Sequence, residues 1–332
     1  MSDAAQTVLA RWRGFNLLDM FTVRSSGEWR EDDFRWIADW GFDWVRLPMC
    51  YTLWTDDADV LKLQEPGLAK IDRAVELGRR HGLHVCLNFH RAPGYSVNRE
   101  RTEPFNLWKD PVAQEAFCFH WKTLAERYRG IPSGQVSFNL VNEPRNPSAD
   151  HMTRQDHQRV VRAAVAGIRS ADPDRLVIAD GLNWGNEPCP ELADLGIAQS
   201  CRGYVPMQLT HYQANWVDSK DWPEPAWPIE SFLDGCDRAN LEKHYARWAE
   251  LARAGVGVHC GEAGCYNRTP HGVFLAWLRD VLEILTGHGI GYALWQFRGA
   301  FGVLDSGRTD VPYEDFHGHQ LDRELLELLR EF

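Results

Sequence analysis

Short apolar runs alternate with amphipathic stretches about eight times along this chain. Each apolar run has the length and composition of a buried β-strand and is bounded by turn-forming or charged residues. The predicted strands cover residues 14–18, 44–48, 83–89, 136–141, 175–179, 204–209, 256–260 and 291–295. Between them, apolar side chains recur at three- and four-residue spacing, which indicates helices.

The predicted helices cover residues 31–40, 67–81, 111–129, 153–170, 191–199, 238–254, 270–286 and 320–330. Strands that alternate with helices in this way form parallel sheets. Eight such units in 332 residues predict an α/β fold, a (β/α)8 TIM barrel that spans residues 1–332 as a single domain. A doubly wound sheet is the alternative, and it is disfavoured because no Gly-x-Gly-x-x-Gly motif follows the first strand.

The fourth apolar run, residues 136–141, stops abruptly at a carboxylate. Glu143 lies where this strand ends, and Pro144 cannot donate a hydrogen bond to further strand pairing. A carboxylate beside a buried strand is costly unless it has partners or a function. Because barrels of this kind form their active site at the carboxyl ends of the strands, Glu143 is a candidate catalytic residue. A solvated loop glutamate is the alternative interpretation.

Other predicted strands also end in polar or aromatic side chains. These residues are Arg46, Asn88, His90, Asn142, His211, Tyr212, Glu262 and Trp295. Strands four and seven lie three positions apart around an eight-stranded barrel, so Glu143 and Glu262 can face each other across its mouth. Two facing carboxyl groups are the arrangement that a glycosidase needs, one as general acid and one as nucleophile or base.

Two features point to other interpretations. Asn-Glu-Pro occurs again at residues 186–188, but Glu187 lies several residues beyond strand five and is predicted to be solvated. A metal-dependent hydrolase is the competing use of such side chains. Strand one carries no His-x-His, and neither His-Glu-x-x-His nor Cys-x-x-Cys occurs in the sequence. We therefore predict no metal and no cofactor, and we interpret His84 and His259 as core histidines.

Composition narrows the possible partners. The formal net charge of -11 argues against nucleic acid or an anionic membrane, and no run reaches the roughly 18 apolar residues of a membrane span. The chain has 15 tryptophans, several of them in predicted loops, where flat apolar ring faces suit sugars.

The 8 cysteines are scattered, which is typical of reduced thiols. Residues 1–10 lack the features of a secretory signal, so we expect a cytoplasmic protein unless a signal has been removed.

With these residues identified, the chain resembles glycoside hydrolase family 5, the cellulase-A family of retaining β-glycosidases. The resemblance covers residues 14–295 and is most specific at Asn142-Glu143-Pro144 and at Gly261-Glu262-Ala263-Gly264. It implies that Glu143 is the general acid/base and Glu262 the nucleophile. It also implies that Arg46 lies beside the nucleophile and stabilises its charge.

Further binding roles are implied by the same resemblance. Asn142 would hydrogen-bond the sugar 2-hydroxyl, His90 and His211 would bind the sugar in the cleaved subsite, and Trp295 would form the platform beneath it. The family usually carries His-x-Tyr after strand six, whereas this chain has His211-Tyr212-Gln213. Because side chains alternate along a strand, Tyr212 would point away from His211. Either the chain bulges there, or another residue takes the role of this tyrosine, or the role is lost. Tyr212 is kept as a candidate substrate-binding residue.

The resemblance implies hydrolysis with net retention, with the two carboxyl groups about 5 to 5.5 Å apart. The expected substrates are β-linked gluco- or manno-oligosaccharides or glycoconjugates. Long loops at residues 90–110 and 214–235 are expected to wall one end of the cleft, which favours exo action or short chains. A secreted-type endo-β-1,4-glucanase is the alternative activity, and a non-catalytic carbohydrate-binding barrel is the alternative of another class. The sequence leaves the oligomeric state undetermined.

Overall fold

The computed structural model describes residues 7, 9–56, 58–98, 102–230 and 235–332. Within these ranges, eight parallel strands form a closed barrel. The strands are β1 (Arg13–Asn16), β2 (Trp44–Cys50), β3 (His84–Ala92), β4 (Val136–Asn139), β5 (Leu176–Asp180), β6 (Ala198–Gly203), β7 (Val258–Ala263) and β8 (Gly291–Leu294). The sheet closes on itself because β1 pairs with both β2 and β8, and β2 also pairs with β3.

Helices connect the strands, which confirms the predicted (β/α)8 TIM barrel. The longer helices in the described part of the chain are α1 (Glu31–Asp39), α2 (Glu65–Arg80), α3 (Pro111–Arg127), α4 (Arg154–Ala171), α5 (Arg238–Arg253), α6 (His271–Gly287) and α7 (Arg323–Glu331). A 3-10 helix, Pro190–Leu195, takes the place of a longer helix between β5 and β6. Among the described helices, none combines the length and the apolar character needed to cross a membrane.

The alternation of side chains along the strands builds two hydrophobic layers. On β2, Val45 and Leu47 belong to the large core between the barrel and its helices. Trp44 points the other way, into a smaller cluster inside the barrel that it forms with Cys86, Ile178, Ala198 and Ala293. Because side chains on a strand alternate between its two faces, Arg46 shares the interior face with Trp44. The apolar cluster thus fills the lower barrel and polar side chains occupy the level above.

The predicted position of strand six is wrong. Residues 204–209 form a loop and the start of a short helix, Met207–Thr210, whereas β6 comprises residues 198–203. The hydrophobicity pattern did not identify β6 because several of its side chains are polar. Gln199 bonds the backbone of Cys189, and Arg202 points into a polar part of the barrel interior. The helix predicted over residues 191–199 accordingly ends at Leu195.

Glycine 14 sets the distance between β1 and β2. A Cβ atom added there would lie 1.7 Å from the backbone oxygen of Trp44, so no side chain fits unless the two strands separate. The strands must stay this close because Asn16, two residues further along β1, accepts a hydrogen bond from Arg46 Nη1 at 2.9 Å.

We predict that Gly14→Ala destabilises the protein by about 3 kcal/mol, because the clashing partner is backbone and cannot rotate away. Urea unfolding of the variant and the wild-type protein measures the difference. Gly167→Ala is the matched control. Gly167 lies inside α4 and the nearest atom to an added Cβ is 3.8 Å away, so this change should raise stability by about 0.5 to 1 kcal/mol. Equal stability of the two variants would contradict the prediction.

Candidate active site

A continuous set of buried polar side chains crosses the barrel just below its mouth. Strands β1 to β7 supply one member each, and we call this set the polar ring: Asn16, Arg46, Asn88, Asn139, Asp180, Arg202 and Glu262. Each member hydrogen-bonds or ion-pairs with at least one other member. These contacts replace the hydration that each side chain lost on burial.

Glu262 lies in β7 and is only 3% exposed. Its Oε1 accepts a hydrogen bond from Arg46 Nη1 at 2.7 Å and lies 3.3 Å from Arg202 Nη2. Its Oε2 accepts a hydrogen bond from the Tyr204 hydroxyl at 3.1 Å. Two guanidinium groups and one hydroxyl therefore stabilise the negative charge of Glu262.

Glu143 follows β4 and is held in an unusual backbone conformation. Its φ angle is 48°, in the left-handed region, which costs a residue other than glycine about 1 to 3 kcal/mol. Its backbone N–H donates to Asp180 Oδ2 at 2.9 Å, and the Tyr95 hydroxyl donates to its carbonyl at 2.6 Å. These bonds fix the direction in which the side chain leaves the backbone.

The Glu143 carboxyl group has a different environment from that of Glu262. Its Oε1 accepts a hydrogen bond from Arg202 Nε at 2.9 Å, and 14% of the side chain is exposed. Burial and the nearby charge of Glu262 raise the pKa of Glu143 to about 8, although the Arg202 guanidinium opposes the increase. Glu143 can therefore hold a proton at neutral pH while it faces an ionised partner.

The orientation of the Asn142 amide is fixed by two cations. Its Oδ1 accepts hydrogen bonds from Arg46 Nη2 at 2.7 Å and from Arg202 Nη2 at 2.9 Å. The amide cannot flip without placing its NH2 group against two guanidinium donors. Its Nδ2 is buried and has no hydrogen-bond partner among the described residues, so it is a donor available to a bound sugar hydroxyl.

The tyrosine beside Glu262 is Tyr204, which directly follows β6. Tyr212 does not take this position: its hydroxyl accepts a hydrogen bond from Gln213 Nε2 at 3.0 Å. The error follows from the misplaced strand: residues 202–204 read Arg-Gly-Tyr, and they occupy the end of strand six where His-x-Tyr was expected. Arg202 thus stands where the expected motif has histidine.

The predicted aromatic and histidine side chains lie around this centre. The rings of His90 and Trp295 stack with 5.5 Å between centroids, and Phe21 packs edge-on against both. Burial, together with nearby guanidinium groups, lowers the pKa of His90. His211 follows the short helix after β6, with its ring 5.1 Å from that of Tyr204, and burial lowers its pKa to about 4. Both histidines are therefore neutral at neutral pH.

Four members of the polar ring are absent from the candidates chosen from the sequence: Asn16, Asn139, Asp180 and Arg202. Asp180 is the last residue of β5 and is 1% exposed. Arg202 lies near the end of β6 and is also 1% exposed. The rule that selects polar residues at strand ends finds Arg202 once β6 is correctly bounded. The same rule already applies to Asp180, which directly follows the predicted strand 175–179.

Other candidates lie away from the mouth. Glu187 forms an ion pair with Arg154 at 3.2 Å and is 34% exposed, in agreement with a solvated loop position. His84 stacks on Trp44 with 4.4 Å between centroids, and burial lowers the pKa of both His84 and His259 to about 3. Within the described ranges, no three His, Cys, Asp or Glu side chains are placed to hold a metal ion together.

Comparison with known proteins identifies the family. The sequence model of cellulase (glycosyl hydrolase family 5) matches residues 2–300. A solved structure described as a glycoside hydrolase is 40% identical, with a TM-score of 0.93, and the match covers 97% of this chain and 99% of that chain. Endoglucanase C of Acetivibrio thermocellus is 28% identical over 86% of this chain and 88% of its own length. Cellodextrinase A of Ruminococcus flavefaciens is 26% identical over 79% of this chain and 76% of its own length. The chain belongs to glycoside hydrolase family 5 and is a retaining glycoside hydrolase.

Proposed function

We propose that the enzyme hydrolyses β-linked gluco- or manno-oligosaccharides, with Glu143 as general acid/base and Glu262 as nucleophile. Both carboxyl groups contact the same guanidinium group, that of Arg202, but their surroundings differ. This contrast is the observation that supports the two roles. Glu262 has donors on both oxygens, whereas Glu143 has a raised pKa and a partly exposed side chain. Paired carboxyl groups in unlike environments are typical of an acid and a nucleophile.

The first half of the reaction uses the two groups together. Glu262 attacks the anomeric carbon, the glycosidic C–O bond breaks, and Glu143 gives its proton to the leaving oxygen. The product is a glycosyl ester on Glu262 and a Glu143 carboxylate. In the second half, Glu143 takes a proton from water, the water oxygen attacks the anomeric carbon, and the ester bond breaks. The free Nδ2 of Asn142 donates to the sugar 2-hydroxyl during both steps.

Exposed tryptophans support an oligosaccharide as the substrate. Among the tryptophans that the structure describes, Trp184 and Trp216 are the most exposed, at 40% and 57%. The Trp184 backbone N–H donates to the carbonyl of Pro144 at 3.0 Å, so Trp184 lies beside the group that would protonate the leaving sugar. Trp216 packs edge-on against Tyr266 with 4.9 Å between centroids. Exposed ring faces at these places suit sugar rings, and Trp184 is placed for a sugar on the leaving-group side of the cleft.

Short chains are the proposed natural substrates. The similarity to a protein named cellodextrinase supports this choice, and the similarity to proteins named endoglucanase supports the second candidate, internal cleavage of longer β-glucans. In the loop over residues 214–230, Trp216 and several polar side chains are exposed. We propose that this loop walls one end of the cleft.

We predict that Glu143→Ala and Glu262→Ala each lose about 10³-fold or more in kcat/KM on aryl β-glycosides with poor leaving groups. A panel of glucoside, cellobioside and mannoside identifies the preferred sugar in the same assay. With azide and a 2,4-dinitrophenyl glycoside, Glu143→Ala should form a β-glycosyl azide, because azide replaces water at the glycosyl-enzyme. Glu262→Ala should form the α-glycosyl azide, because azide attacks the substrate directly.

Glu187→Ala is the matched control, since it removes the glutamate of the second Asn-Glu-Pro tripeptide without touching the polar ring. Its activity should stay within about twofold of wild type, because surface side chains contribute little. Activity that survives in both Glu143→Ala and Glu262→Ala would refute the proposed roles. Rapid loss of viscosity of carboxymethyl-cellulose with the wild-type enzyme would favour the endoglucanase over the short-chain enzyme.

We predict that kcat/KM for unactivated aryl glycosides falls as the pH rises through about 8, the pKa of Glu143. The protonated form of Glu143 is the acid in the first step, so activity is present below this pH and is lost above it. A 2,4-dinitrophenyl leaving group needs no proton, and its profile should keep activity at higher pH. If kcat/KM for both substrates falls in the same way at high pH, a group other than Glu143 is responsible for that loss.

We predict that Tyr204→Phe lowers kcat/KM by about 10²-fold, because the nucleophile loses a preorganised hydrogen-bond donor. Tyr212→Phe is the control with the same change of one hydroxyl group. Its hydroxyl bonds Gln213 and not a carboxylate, so kinetics close to wild type are expected. Steady-state measurements on one aryl glycoside compare the two variants. A larger loss in Tyr212→Phe than in Tyr204→Phe would contradict the placement of the catalytic tyrosine.

A further inference from the structure

Arg202 contacts three carboxyl groups, although the proposed mechanism gives this residue no role. Its Nε donates to Glu143 Oε1 at 2.9 Å, and its Nη2 lies 3.3 Å from Glu262 Oε1. Nη2 also bonds Asp180 Oδ2. Arg46, the other guanidinium of the polar ring, ion-pairs with Glu262 and, at 4.0 Å, with Asp180, and its hydrogen bonds to other described residues go to amide groups. Of these two guanidinium groups, Arg202 is the one in contact with both carboxyl groups.

The remaining contacts of the Arg202 side chain hold it in place, so that it cannot shift between the two catalytic carboxyl groups. Nη1 donates to Ser200 Oγ at 3.0 Å and to the Cys201 carbonyl at 3.1 Å. Gly185, with φ of 77°, packs directly on the side chain, and a Cβ there would lie 2.6 Å from Arg202 Cγ. The fold therefore leaves space for this side chain and supplies a partner for each of its nitrogen atoms.

The charges near the two carboxyl groups remain balanced through the reaction. Before attack, the guanidinium charges of Arg46 and Arg202 balance the carboxylates of Asp180 and Glu262, and Glu143 is protonated. In the glycosyl-enzyme, Glu262 is a neutral ester and Glu143 is the carboxylate. One negative charge has thus moved from one oxygen that Arg202 contacts to another that it also contacts, without any movement of the arginine.

We propose that Arg202 is the counter-cation for the negative charge that passes from Glu262 to Glu143 during catalysis, and that Asp180 holds it in place. Arg202 is then a positioning residue that acts through Glu143, and its main effect falls on the second half of the reaction. In that half Glu143 must be ionised to take a proton from water. This inference rests on the proposed roles of Glu143 and Glu262.

The groups around Glu143 agree with this assignment. Those that face it are Asp180 from β5, Arg202 from β6, Glu262 from β7, and the hydroxyl groups of Tyr95 and Tyr204. Burial, Glu262 and Asp180 favour the protonated form of Glu143, and Arg202 favours the ionised form. When Glu262 becomes an ester its contribution disappears while that of Arg202 stays. The pKa of Glu143 should therefore fall in the glycosyl-enzyme, and Arg202 should keep it lower in this state than it would be without the guanidinium group.

The experiment compares wild type, Arg202→Met and Arg202→Lys with 2,4-dinitrophenyl β-cellobioside. This leaving group needs no acid, so the first half of the reaction proceeds and the second half limits turnover. For Arg202→Met we expect kcat to fall by about 10²-fold and a burst of about one dinitrophenolate per enzyme to appear. The acidic limb of kcat should move to higher pH by about 1 to 3 pH units. Azide should restore kcat, because azide needs no base.

Arg175→Met is the matched control, since Arg175 is another buried arginine that bonds backbone carbonyls before β5 and contacts neither carboxyl group of the site. It should lose stability without a shift of the acidic limb. If Arg202→Met slows both halves equally, shows no burst and keeps the wild-type acidic limb, the proposal is overturned.

A second measurement covers the case in which Arg202→Met does not fold. Carbon-13 NMR of carboxyl-labelled glutamate gives the pKa of Glu143 in the free enzyme and after trapping with 2,4-dinitrophenyl 2-deoxy-2-fluoro-β-cellobioside. After trapping, the pKa of Glu143 should be higher in Arg202→Lys than in wild type, because an ammonium group cannot reproduce the directed contacts of the guanidinium group. An equal pKa of Glu143 in the two trapped enzymes would refute the role of Arg202. Failure of the fluoro-sugar to label Glu262 in wild type would instead refute the proposed function itself.

Discussion

The structure depends on the burial of several charges inside a closed barrel. Three carboxyl groups and two guanidinium groups lie within hydrogen-bond or ion-pair reach of one another just below the mouth. Isolated charges in such a place would be strongly unfavourable, and removal of one partner leaves the other uncompensated. The polar ring solves this problem collectively, because each of seven neighbouring strands contributes one member and each member has a partner.

This arrangement makes the carboxyl groups unlike each other. Glu262 is a member of the ring and its charge is stabilised from several directions, whereas Glu143 stands above the ring on a strained backbone position. Asp180 joins the two levels, since its Oδ2 accepts from the Glu143 backbone N–H and from Arg202. The same contacts that make charge burial tolerable therefore also set the protonation states that double displacement needs.

The barrel supports the site through its two hydrophobic layers. The apolar cluster inside the lower barrel supports the polar ring from below, and the core under the helices fixes the strands that carry it. Glycine at residue 14 lets β1 and β2 approach closely enough for Asn16 to reach Arg46. Precise placement of catalytic groups within a fraction of an ångström requires such rigid support, which loops alone do not supply.

The sequence by itself determined the barrel and the two candidate catalytic glutamates. Hydrophobic periodicity encodes each strand–helix unit locally, and Glu143 and Glu262 stand at strand ends that an apolar run marks clearly. The tertiary structure alone decided that Arg202, Asp180 and Tyr204 meet these carboxyl groups. The strand that carries Arg202 has a polar inner face, so its hydrophobic pattern is weak. The apolar residues of the following segment, 204–209, gave the stronger strand pattern. Its neighbours in the polar ring are far apart along the chain, and only closure of the barrel brings them into contact.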